Sequence, residues 1–231
     1  TTSVVERVGW YIDDVTIGSG VIATGTARGT GCPPDADPSG DFVFQYFSSN
    51  TSTDPNDIIG QAITYTRQAN GGYIATIGAG SLIPGYANRI DNVVGIWGTT
   101  NGDTGVSIAQ PLPAPATYWD FAATDAYVCT NGRVYLGPGG STSDFASATT
   151  MRAGPTCIAL WSDDLDCTSA NLPVGGGVYV DQIGSDLVIT YDMVPAYTSS
   201  TPNTQFFTGQ AVLPPHGDVV TYRYASTLTR L

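Results

Sequence analysis

The chain has 231 residues, 42% of them hydrophobic, enough to bury one large core or two small ones. Eight basic residues against twenty acidic ones leave a net charge of −12, which argues against nucleic-acid binding by phosphate neutralisation. No apolar run approaches the roughly 20 residues that a membrane-spanning helix needs. Lysine is absent, and every acidic residue except Glu6 is aspartate. With 28 glycines and 15 prolines, this composition favours short strands and tight turns over helices. No charged-then-apolar leader stands at Thr1, so the expected form is mature and processed.

In chain order, the first half reads as strands. Val4 to Ile17 is rich in Val, Ile, Trp and Tyr, and Asp41 to Phe47 follows a turn-rich loop. Ile58 to Thr66 and Tyr73 to Ile77 flank Asn70-Gly71, a two-residue hairpin signal. Val93 to Trp97 and Val106 to Ile108 flank a second such pair, Asn101-Gly102. Pro111, Pro113 and Pro115 then alternate, which suggests an extended connector. The expected organisation is a β-sandwich-like domain over 1–110, a connector over 111–116 and a second β domain over 117–231. A single extended β domain is the alternative.

Helical periodicity is weak throughout, with Ser143 to Thr150 the best short candidate. In the second half, Gly184-Ser185 fits a two-residue turn between Val178–Ile183 and Asp186–Tyr191. Alternation then sets Val178, Val180, Leu187, Ile189 and Tyr191 on one face. The fold class is all-β, an antiparallel sandwich or jelly roll.

Several groups of residues carry candidate chemistry. Asp163, Asp164 and Asp166 follow the apolar strand Cys157 to Trp161. Three readings apply: a calcium site, a carboxylate pair of a glycosidase, or a turn whose aspartates accept backbone N–H groups. Asp35, Asp37 and Asp41 resemble the start of a calcium loop but lack its closing glutamate. Calcium is the one cofactor suggested, and none is required. The sequon at Asn50 is a glycosylation acceptor in a secreted eukaryotic chain.

The even set of four cysteines suits two disulfides in an oxidising compartment. Cys157–Cys167 with Cys32–Cys129 is the favoured pairing; Cys129–Cys157 is a rival, and four buried thiols are the alternative to both. His216 is the only histidine and sits in a turn-like Pro-Pro-His-Gly-Asp run, so a serine-hydrolase inventory fails. Among the aromatics, Trp161 reads as core, whereas Tyr118 and Trp119 are candidates for an exposed sugar-stacking surface.

The order of motifs from Trp161-Ser162-Asp163-Asp164-Leu165-Asp166, through the glycine-rich Val174 to Val180 and Tyr191-Asp192-Met193-Val194-Pro195, to Val219 to Tyr224 resembles the nidogen-type (NIDO) extracellular domain. Cys129-Thr130-Asn131-Gly132-Arg133-Val134 resembles that family's upstream hairpin, and the likeness spans roughly 117–227. It implies an extracellular or cell-surface module without a catalytic centre.

The expected function is therefore a non-enzymatic extracellular structural or adhesion protein that self-associates in a surface layer, sheath or filament. The terminal segments Thr1–Ile17 and Val219–Leu231 are the expected donors to a neighbouring sheet edge. A carbohydrate-binding module is the alternative, with glycans or other surface proteins as partners; a glycosidase is the second.

Overall fold

The structure, a computed structural model, describes residues 59–67, 73–91, 105–118, 121–138, 140, 156–161, 164–168, 170–197 and 206–225. Every element among them is a strand. These are β1 (Gln61–Arg67), β2 (Tyr73–Ala79), β3 (Gln110–Tyr118), β4 (Phe121–Val128) and β5 (Arg133–Tyr135). They continue with β6 (Cys157–Ala159), β7 (Gly177–Ile183), β8 (Asp186–Pro195), β9 (Phe206–Leu213) and β10 (Val219–Tyr224). They form two antiparallel sheets, ordered β2-β1-β10-β9-β8-β7 and β3-β4-β5-β6. The all-β, sandwich-like expectation holds.

Alternation builds the core between them. Ile63, Tyr65, Val180, Ile189, Tyr191, Phe207, Leu213 and Tyr222 come from the larger sheet; Tyr118, Val128, Val134 and Ile158 come from the smaller. Buried tyrosines also tie the sheets with hydrogen bonds, because an enclosed phenol needs an acceptor. Tyr191 Oη on β8 donates to the Cys129 carbonyl beyond β4. Tyr224 Oη on β10 donates to Leu160 O at 3.0 Å. Tyr118 Oη on β3 donates to Pro214 O, in the β9–β10 turn, at 3.3 Å.

The β7–β8 hairpin follows the sequence register. Val178 faces Tyr191, Val180 faces Ile189, and Gly184 turns the chain at φ 64°. The β1–β2 hairpin forms too, but Arg67 pairs with Tyr73 and leaves five residues between the strands. Asn70 and Gly71, the expected turn, lie outside the described residues.

Residues 111–116, expected as a connector, instead lie within β3 and pair with β4 around an irregularity between Pro111 and Ala116. Proline is tolerated there because β3 ends its sheet and can forgo donors on its open side. β1 and β2, from the first half, join the sheet of the second half through β10. That places Val219–Tyr224 in the sheet interior, bonded to β1 on one side and β9 on the other. This part of the C-terminal segment is therefore no donor to a neighbour's edge, which corrects that expectation. Thr1–Ile17 lies outside the described residues.

Residues 80–91 cross the outer face of the larger sheet as a strap. Arg223 Nη1 donates to Ser81 O at 2.9 Å. Gln210 on β9 exchanges two bonds with Ile83: it accepts from Ile83 N–H at 2.7 Å and donates to Ile83 O at 2.9 Å. The strap ends beside β7, where Val180 N–H reaches Asn88 O and Ile90 N–H reaches Val178 O.

Candidate functional site

The acidic loop after β6 is fixed by its surroundings. Trp161 is half-buried, stacks on Phe207 with ring centroids 5.3 Å apart, and donates its backbone N–H to Gly132 O. Leu165 N–H donates to the buried Asn131 Oδ1 at 2.8 Å, so the 130–132 turn holds the loop from one side. Asp166 N–H bonds Pro195 O and Tyr197 N–H bonds Asp164 O, so the end of β8 holds it from the other.

Asp166 is buried, and both its oxygens are engaged. Oδ1 accepts from Thr168 N–H at 2.8 Å, and Oδ2 accepts a short hydrogen bond from Asn171 Nδ2. This is the arrangement of a turn aspartate that satisfies the loop's own donors. Asp164 is half-buried and contributes its carbonyl to Tyr197. Asp163 lies outside the described residues, as do Asp35, Asp37, Asp41, Asn50, Cys32 and Trp119. No group of three metal-ligating side chains comes together among the described residues.

No disulfide forms among the described cysteines. Cys157 sits opposite Tyr135 at the start of β6, whereas Cys167 Sγ is 3.7 Å from Thr130 O, past the other end of β5. β5 also lies between the strands of Cys129 and Cys157, which places them two strand spacings apart, about 9.5 Å. Arg133, fully buried on β5, donates to Cys129 Sγ at 3.4 Å between them. Cys157 is half-exposed as a residue, but its enclosed sulfur is desolvated, which pushes the thiol up to about 12. It therefore stays protonated at neutral pH and is a poor nucleophile.

His216 is exposed, at φ 85° in the β9–β10 turn, and its carbonyl accepts from Thr117 N–H at 3.3 Å. It is a turn residue, as its sequence context suggests. Tyr118, expected at the surface, is fully buried.

A polar cluster that sequence reasoning missed lies where the strap meets β7 and β8. Arg89 forms a forked ion pair with Asp91 at 2.7 Å. Asp91 Oδ1 also accepts from Val178 N–H at 2.7 Å. Asp181 accepts from the backbone N–H groups of Ala87 and Asn88 at 3.1 and 2.9 Å. Tyr86 Oη donates to Asp192 Oδ2 at 3.0 Å, and its ring meets Tyr179 edge-on at 5.1 Å. Partial burial and the Asp192 carboxylate together hold the Tyr86 phenol up to about 12. The available signal was Asp181 and Asp192 at outward-facing positions of β7 and β8. The strap that meets them has no periodicity.

Compared with family models, with curated proteins and with solved structures, the chain matches none of them.

Proposed function

We propose that this chain is a non-enzymatic structural or adhesion module of the extracellular surface, NIDO-like in its second half, that associates with copies of itself in a layer, sheath or filament. The observation that carries the reading is how the acidic side chains are spent. Asp91, Asp166, Asp181 and Asp192 each accept hydrogen bonds that join a loop to a strand or close a turn. General acid–base work needs a carboxyl that exchanges its proton with a substrate across a cleft. Carboxylates committed to backbone and tyrosine donors favour a fold that holds a shape.

Light scattering after size exclusion, with electron microscopy of the same material, tests this. Assemblies larger than one chain of 24.1 kDa are expected. Their loss in chelator would assign calcium to Asp35, Asp37 and Asp41 or to Asp163, Asp164 and Asp166. Their loss in reductant would assign a disulfide between chains, because Cys129, Cys157 and Cys167 do not pair with one another within the chain. A monomer at high concentration sinks the self-association reading.

The carbohydrate-binding alternative is favoured by one feature, the half-buried Tyr86–Tyr179 pair beside Asp192 and Asp181. Aromatic rings next to carboxylates suit the apolar faces and hydroxyls of sugars. Binding on a broad glycan panel that disappears in Tyr179→Ala supports it; a silent panel removes it.

A further inference from the structure

The strap has no covalent fastening to the sheet it crosses. Residues 80–91 contain no cysteine, and Cys129, Cys157 and Cys167 do not pair with one another. Hydrogen bonds from Gln210, Arg223 and Asp181 hold it, while Pro84, Gly85, Ala87 and Asn88 stand exposed. A surface segment held in this way opens locally at a lower free energy than the core.

One contact between the strap and the sheet carries reactive chemistry. Tyr86 meets Tyr179 of β7 with ring centroids 5.1 Å apart and planes at 61°. Both residues are half-buried, so each ring is reached from solvent. Tyr65 and Tyr222 touch in nearly the same way, at 5.5 Å and 65°, but are enclosed in the core at 3% and 0% exposure. Ring contact and access to a dissolved reagent coincide at Tyr86–Tyr179.

The surroundings also provide for the protons. A phenol held at about 12 by partial burial and a neighbouring carboxylate is protonated at neutral pH, so Tyr86 gives up an electron only together with its proton. Asp192 Oδ2 accepts the Tyr86 O–H at 3.0 Å and is placed to take that proton. Tyr179 Oη donates to the Gly175 carbonyl at 2.6 Å and passes its proton to the adjoining solvent. Closing from contact to bond requires the rings to tilt. Gly85, directly before Tyr86, has nothing within 4 Å of an added Cβ, which leaves the strap room to move.

We propose that Tyr86 and Tyr179 form an oxidative cross-linking site, at which a peroxidase-class one-electron oxidant couples the two rings into a dityrosine that fastens the strap to β7. Each phenol loses one electron and one proton, and the two phenoxyl radicals join through ring carbons ortho to their oxygens. The hydrogen on each joined carbon then leaves as a proton and a proton returns to each oxygen, which restores both phenols. The chain loses two hydrogen atoms, and one hydrogen peroxide is reduced to two waters. Both rings belong to one chain, so the site is independent of self-association.

The test uses the full chain, a haem peroxidase and limiting hydrogen peroxide, with free N-acetyltyrosine in a parallel tube to show that the oxidant is active. A product at the mass of one chain less two hydrogens, with dityrosine fluorescence, is expected. Cleavage after arginine should then release 68–89 joined to 153–223, the segments that contain Tyr86 and Tyr179. Tyr86→Phe and Tyr179→Phe each keep the ring and remove the phenol, so either one should abolish that joined product; if one variant fails to fold, the other decides. Asp192→Asn leaves both rings but no base, and should slow the coupling by about tenfold or more. In the cross-linked chain, hydrogen exchange at Ala87 and Asn88 should be slower than in the parent. Oxidised N-acetyltyrosine with no join between 68–89 and 153–223 overturns the proposal. So does a join that persists in a folded Tyr86→Phe or Tyr179→Phe chain, or one found only between two chains.

Discussion

Replacing Gln210 with leucine tests whether the strap is pinned by one side chain. Gln210 is fully buried on β9, and its amide makes three bonds: from Ile83 N–H at 2.7 Å, to Ile83 O at 2.9 Å and to Thr190 Oγ1 at 3.0 Å. Leucine keeps most of the volume, beside the buried Val188 and Val212, but makes none of them. At about 0.5–1.5 kcal/mol net for each bond, the loss is about 2–3 kcal/mol once the gain in apolar contact is set against it. For a chain of this length that corresponds to a fall in Tm of about 5–10 °C.

The loss should be local before it is global. With Ile83 released, the strap lifts from β9, while Ala211, Leu213 and Tyr222 remain in the core. Hydrogen exchange should accelerate at Ile83, Ala87 and Asn88 while β8, β9 and β10 stay protected. Thermal unfolding and exchange mass spectrometry measure the two effects. A change in Tm under about 2 °C, with unchanged exchange at Ile83, would show that Asp181, Asp192 and Arg223 hold the strap without Gln210.

Three further outcomes follow from the buried groups and turns. Burial raises the phenol pKa of Tyr65, Tyr191, Tyr222 and Tyr224 above the ordinary tyrosine value of 10.0. Their contribution is thus fully present below pH 10 and is lost as pH climbs toward their folded values, because only the unfolded chain gives up those protons. Each should reduce stability by about 1.4 kcal/mol per pH unit in that window; phenolate absorbance that rises without cooperative unfolding would contradict it. Gly132 and Gly184 both have positive φ, 79° and 64°. An added Cβ at Gly132 would meet Trp161 O at 2.2 Å, whereas Gly184 has open space. Gly184→Ala should therefore cost about 1 kcal/mol, and Gly132→Ala more than about 2 kcal/mol; equal costs by chemical denaturation would overturn that contrast. Asp166→Asn turns one acceptor against the Asn171 amide and should cost about 1–2 kcal/mol, equally in calcium and in chelator. Calcium protection of the parent alone would instead make Asp166 a ligand.

How legible each feature was depended on whether local pattern alone determined it. The β7–β8 hairpin was fully legible, since a two-residue turn fixes register and alternation then fixes every face. β10 was legible as a strand, but its interior position was not, because an apolar alternation says that a strand pairs and not with what. The prolines at 111, 113 and 115 mark a place where donors are dispensable; a connector and an edge strand satisfy that equally, and pairing with β4 decides for the strand. Asn70-Gly71 marked a hairpin, and its flanks do pair as one, Ile63 with Ile77 and Arg67 with Tyr73.

The candidate site was legible only where a motif named it. Trp161, Leu165 and Asp166 lie together as their spacing suggests, yet Asp166 serves the loop through Thr168 and Asn171. The strap was invisible for a physical reason. A segment that crosses strands at an angle repeats neither at two residues nor at 3.6, so no face of it is marked by hydrophobicity. Its trace in the sequence is on the partner strands, as polar residues where an apolar run would otherwise continue: Gln210 within Phe-Phe-Thr-Gly-Gln-Ala-Val-Leu, and Thr190 within Leu-Val-Ile-Thr-Tyr. Both are fully buried, and a buried amide or hydroxyl requires a partner. A polar residue at an outward position of a central strand is thus a sign that some other part of the chain lies across that face. Here Gln210 meets Ile83 and Asp192 meets Tyr86, and the same strap goes on to close the β7 edge.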